Sequence, residues 1–145
     1  MLFRSRVVVR VISSDAIDRN GLHRMNLAGL RSALSALSPP AEICLVDGFR
    51  LGPTAPAHRA VVDGDERSAA IAAASIVAKV VRDRAMRRMD ALYPRYGFAS
   101  HVGYITPSHS AKVREHGPSD IHRRSFQALC YLSEEEARAR VAQAT

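Results

Sequence analysis

Tryptophan is absent from these 145 residues, and tyrosine with phenylalanine brings the aromatic share to only 6%. An interior built from this chain must be filled mainly by aliphatic side chains. Cysteine occurs twice, as Cys44 and Cys130, in the apolar strings ICLV and ALCY and without CxxC spacing. That pattern excludes a disulfide framework and leaves two inert, buried thiols in a reducing compartment. No apolar run approaches the roughly 20 residues of a spanning helix, so a transmembrane segment is excluded. The opening residues mix Arg4, Arg6 and Arg10 with short apolar runs and lack both a continuous apolar stretch and a small-residue cleavage site. They do not read as a secretory signal, and a cytoplasmic location is expected. Acidic residues are also scarce: fourteen Asp plus Glu against twenty-one Lys plus Arg give a net charge of +7. Such a balance favours an anionic partner, nucleic acid or an acidic membrane surface, although basic solubility alone also satisfies it. With 47% hydrophobic and 24% charged residues, the chain reads as one soluble globular domain over residues 1–145 that needs no staples.

Val7 to Ile12 is β-branched apart from Arg10 and predicts a strand with one buried face. Asp15 then caps a helix whose apolar positions, Leu22, Met25, Leu27, Leu30, Ala33, Leu34 and Leu37, recur three and four apart, with Gly21 weakening its first turns. Ser38-Pro39-Pro40 stops it. Ile43 to Val46 predicts a strand covered on both faces and closed by Asp47-Gly48, and Arg59 to Asp63 a further short strand. A long helix is predicted from Glu66 to Leu92, with Ile71, Ala74, Ala78, Val81, Ala85, Met89 and Leu92 on one stripe and an Ala69–Ala74 stretch suited to close packing on a sheet. Pro94 to Thr106 reads as a loop, Pro107 to Glu115 and Ile121 to Leu132 as helices, and Ser133 with Glu136 as the capping box of a polar C-terminal helix over 133–145. The order implies an α/β domain with a mixed sheet flanked by helices.

Asp47 stands at the carboxyl end of a strand, where α/β sheets place functional groups, and a buried strand has little use for a carboxylate. On pattern alone Asp47-Gly48 reads equally as a plain turn. Asp83, between Arg82 and Arg84, reads by itself as a solvated helix residue in local ion pairs, yet it lies at the edge of the apolar stripe. Two carboxylates converging from a strand end and a helix are what a Mg²⁺ site uses, together with substrate phosphate oxygens. Lys79, Arg82, Arg84, Arg87, Arg88 and Arg95 make the same helix basic, which solvation alone would also explain. In HVGYITPSH, Tyr104 stands among His101, Thr106, Ser108 and His109, a composition able to stack on a sugar or base and hydrogen-bond phosphates. Zinc fits poorly, because His101 and His109 lack a third well-spaced ligand. His122-Arg123-Arg124-Ser125 at a helix start adds phosphate-seeking groups.

In order, LVDG at 45–48, SAAIAAASIVAKVVRDRAM at 68–86, LYPRYGF at 92–98, HVGYITPSH at 101–109 and GPSDIHRRSF at 117–126 resemble type 2 ribonuclease H, the bacterial ribonuclease HII family. The similarity covers about residues 12–132 and implies a ribonuclease H-like fold. It implies an endonuclease that cuts the RNA strand of RNA–DNA hybrids and single ribonucleotides in duplex DNA, with Mg²⁺ or Mn²⁺. Asp47 and Asp83 match two of the family's four metal-holding carboxylates, and Tyr104 matches its junction-sensing tyrosine. Ser75, Lys79, His101, Thr106, Arg123 and Arg124 complete the candidate substrate contacts.

The family's opening strand, whose DEAGRG motif carries the other two carboxylates, has no counterpart in these residues, and Asp65-Glu66 lies in a later segment. Asp63 and Val102 stand where that family often has lysine. Residues 1–6 read as a mis-assigned start or an unrelated extension. The expectation is therefore an N-terminally truncated or wrongly started member, aggregation-prone and poorly active or inactive as written. Two other readings compete: a non-catalytic hybrid-binding module, and a basic α/β scaffold with a protein partner.

Overall fold

A computed structural model describes residues 5–37 and 41–126, together with Glu135, Ala139 and Ala142. The described residues form α1 (Ser14–Asn20), α2 (Leu22–Ser35), β1 (Leu45–Asp47), β2 (Arg59–Val61), α3 (Gly64–Arg67), α4 (Ala69–Leu92), α5 (Phe98–His101) and α6 (Pro107–His116). They fall into two compact units, residues 1–80 and 81–145, and α4 runs through the division. The architecture is α/β, as expected from the sequence.

In the first unit β1 and β2 pair in parallel, with Val46 opposite Ala60 and Asp47 opposite Val61. Parallel strands need a crossover connection, and residues 48–58 provide one without a helix. His58 stitches it: Nε2 accepts from the Leu51 N–H at 2.9 Å, and Nδ1 donates to the Pro56 carbonyl at 2.8 Å. Leu51 and Val46 are buried beneath it, while Cys44 is half-buried rather than enclosed.

The predicted first helix is two helices. Ser13, not Asp15, is the N-cap of α1, its side chain accepting from the Ala16 N–H. Gly21, at φ 84° and ψ 144°, then turns the chain into α2, in a conformation essentially reserved for glycine. The strand expected at Val7 to Ile12 is not formed. Among the described residues no strand pairs with it, and an unpaired strand leaves its backbone groups to water. Instead Ile12 packs on α2 at Gly29, where a Cβ would lie 2.9 Å from Ile12 Cδ1, and Arg10 Nε donates to Ser32 Oγ at 2.9 Å.

The helix expected from Glu66 is also interrupted, at Ser68, which is extended. Of the predicted stripe, Ile71 is buried and Val81, Ala85 and Met89 half-buried, whereas Ala74, Ala78 and Leu92 are exposed. The core of the second unit is Tyr96, Phe98 and Val113, joined by Met86, Met89, Tyr93 and Ile121. Within the expected Pro94–Thr106 loop Gly97, at φ 70°, starts the single turn α5. Residues 121–126 are turns rather than helix; the cap at Ser133 and Cys130 lie outside the described residues, and of the helix expected after Ser133 the described Glu135, Ala139 and Ala142 are helical.

Candidate nucleic-acid interface

In the first unit, Asp47 projects from the carboxyl end of β1 and is exposed. Its Oδ1 accepts from the Gly64 N–H at 2.9 Å, which fixes the carboxylate against the start of α3. Only glycine allows this approach: a Cβ at position 64 would lie 2.6 Å from Ile71 Cδ1 and 3.0 Å from Asp47 Oδ1. Ser75 and Lys79 are exposed on the first half of α4.

In the second unit, Asp83 is 9% exposed on α4, a burial that a carboxylate tolerates only with partners. Arg82 supplies one, its Nη1 donating to Asp83 Oδ1 at 3.2 Å. The same guanidinium carbon lies 4.7 Å from the centroid of the Tyr104 ring, a cation–π contact. Tyr104 is half exposed, so part of its ring faces solvent. Next to it, Thr106 is the N-cap of α6, its Oγ1 accepting from the His109 N–H at 3.2 Å. Arg123 folds over the Phe126 ring at 4.8 Å, and Arg124 is exposed.

His101, His109 and His122 do not lie on the surface. They are 7%, 4% and 7% exposed, and His101 stacks on His109 at a centroid distance of 4.2 Å. His101 Nε2 donates to the Tyr96 carbonyl at 2.9 Å while Nδ1 accepts from the Gly103 N–H at 3.2 Å. With both nitrogens engaged, His101 cannot serve as the phosphate contact expected from the sequence, nor can buried His109 and His122. Burial, then the neighbouring His109, pushes His122 down from 6.5 to about 4, and burial likewise lowers His109. The spacing of these histidines held no signal for this, because partners 8 to 21 residues apart are brought together only by the fold of residues 96–122.

Carboxylate oxygens are the donors that hard divalent cations prefer, so Asp47 and Asp83 fit Mg²⁺ or Mn²⁺ by chemistry. Among the described residues no three His, Cys, Asp or Glu side chains gather to hold a metal by themselves. No helix among them is long and apolar enough to cross a membrane.

A family model described as Ribonuclease HII matches residues 3–129. The chain belongs to the ribonuclease HII family. Curated relatives named Ribonuclease HII include one from Salinispora tropica, 48% identical across 89% of this chain and 48% of its own length. Another, from Rhizobium meliloti, is 46% identical across 88% of this chain and 59% of its own length. A third, from Geobacillus thermodenitrificans, is 46% identical across 81% of this chain and 45% of its own length. The chain thus spans about half the length of these ribonuclease HII relatives.

Proposed function

We propose that this chain recognises RNA–DNA hybrids and single ribonucleotides in duplex DNA, and contributes two carboxylates, Asp47 and Asp83, to their metal-dependent hydrolysis. The observation that carries the reading is the arrangement in the second unit. One guanidinium, Arg82, both covers the Tyr104 ring and binds Asp83, so a stacking surface and a buried carboxylate share one support. Tyr104, half exposed, stacks on the nucleotide at the RNA–DNA junction. Thr106, Arg123 and Arg124 supply a hydroxyl and positive charge for the nucleic-acid backbone, and Ser75 and Lys79, on the first half of α4, offer the same kinds of group. Asp47 and Asp83 would each offer carboxylate oxygens to Mg²⁺ or Mn²⁺, which would supply polarisation of the phosphate and activation of water. The hydrogen bond from Gly64 leaves the second oxygen of Asp47 as the natural ligand atom. Cutting by these residues alone is weak, because nothing in them matches the family's Asp-Glu pair.

A second reading, hybrid binding without cutting, is favoured by the lack of a self-sufficient metal cluster among the described residues. Cleavage of a DNA duplex with one ribonucleotide, in Mg²⁺ and then Mn²⁺, separates the two. Slow cutting 5′ to the ribonucleotide that disappears in Asp47→Asn supports hydrolysis. Salt-sensitive binding with no cutting supports the second reading, and neither overturns both.

A further inference from the structure

Two successive residues before Tyr104 are left-handed: Val102 at φ 43° and Gly103 at φ 80°. For a β-branched residue that conformation is a strained outlier, and it persists only where the surroundings enforce it. A buried chain of hydrogen bonds supplies the enforcement. The Tyr104 N–H donates to the His101 carbonyl at 2.8 Å. Its carbonyl receives His109 Nδ1 at 2.9 Å. His109 Nε2 meets His122 Nε2 at 3.1 Å, and His122 Nδ1 meets both the N–H and the hydroxyl of Ser119, at 3.0 and 2.7 Å.

The ends of this chain fix every proton in it. A carbonyl can only accept, so His109 Nδ1 carries hydrogen and its Nε2 is bare. A backbone N–H can only donate, so His122 Nδ1 is bare and its Nε2 carries hydrogen. The direction therefore runs from Ser119 to His122 to His109 to the carbonyl of Tyr104.

We propose that Ser119, His122 and His109 form a positioning chain that sets the backbone of Tyr104, and through it the presentation of the ring to the ribonucleotide junction. The chain reaches the carbonyl of Tyr104, and Arg82 lies against its ring. Gly103 is needed between these supports, since a Cβ there would lie 3.1 Å from Met86 Cε and 3.4 Å from Arg82 Nη2. The three residues touch no substrate, and their effect is on preference rather than on overall affinity. This rests on the reading of Tyr104 as the junction contact.

Two replacements of His109 divide its roles. Asn puts an amide near the Nδ1 position and keeps the donor to Tyr104, and Gln puts one near Nε2 and keeps the partner of His122. Affinity for a duplex with one ribonucleotide is measured against the same all-DNA duplex by fluorescence anisotropy in EDTA, with folding followed by circular dichroism. The expected result is a preference lowered about fivefold in His109→Gln, which loses the hydrogen bond to Tyr104, and lowered by less in His109→Asn, which keeps that bond and loses only the link to His122. A merely structural histidine would lose stability in both and preference in neither. If His109→Gln does not fold, His122→Asn, which keeps the Ser119 arm and removes the donor to His109, should lower the preference to the same smaller extent as His109→Asn, and an unchanged preference in folded His122→Asn would overturn the chain. Tyr104→Ala is run alongside. Unchanged preference in folded His109→Gln, with loss in Tyr104→Ala, would overturn the positioning role alone. Unchanged preference in Tyr104→Ala would overturn the reading of Tyr104 and the proposal with it.

Discussion

His122 illustrates how much a single side chain can depend on its surroundings. Unfolded, its imidazole titrates near 6.5, whereas in the fold it is held to about 4 by burial and by His109. As pH falls, the unfolded chain therefore takes up the proton first, and stability that is full above pH 6.5 is lost progressively towards pH 4. Adding that proton to His122 Nδ1 would set it against the Ser119 N–H, and adding one to His109 Nε2 would set it against His122. Unfolding in urea should thus be easier by about 2 kcal/mol at pH 5 than at pH 7.5 from His122 alone. The matching curve for His122→Asn should be flatter by that amount, and parallel curves would refute the assignment. Residues exposed at a strand end or loop, such as Asp47 and Tyr104, could be singled out from sequence, since neighbouring residues report their setting. The histidines could not, because in a run such as HVGYITPSH a buried and a phosphate-facing imidazole read alike.

Elements depended on partners in the same way. The two strands of the sheet and the long helix α4 were legible in place, since strand and helical spacing need only local pattern, but the cover expected on both faces of Ile43 to Val46 is not there: Ile43 is 74% exposed and β1 starts only at Leu45. Val7 to Ile12 has an equally good pattern but no strand beside it among the described residues, and it runs along α2 instead. Helix ends were legible only in part: Pro107 marks α6, but its cap, Thr106, had been read as a phosphate contact. That double duty is testable. Thr106→Ala removes the acceptor for the His109 N–H and should lower stability by about 1 kcal/mol, seen as a lower urea midpoint, while Thr106→Ser restores it. Because the cap bonds the backbone of His109, Thr106→Ala should also broaden the resonances of Tyr104.

At the scale of the whole molecule, charge matters more than any one contact. With a net charge of +7, binding to duplex DNA should rest largely on phosphate neutralisation. Raising salt from 50 to 200 mM should weaken binding about tenfold if two phosphates are neutralised, and more if more are. A salt-independent affinity would exclude the basic face of α4 from the interface. Apolar side chains such as Val7, Val11, Ile43, Val62 and Ile76 are exposed in the first unit, and they account for the aggregation tendency expected of this chain. The buried run from Ser119 to Tyr104 constrains the molecule in another way, through the order in which its sequence can change. Each member supplies half of a bond whose other half has no water to turn to, so replacing one strands the next. Substitutions along that run should be tolerated in pairs where they are refused singly, and its residues should drift together or stay as they are.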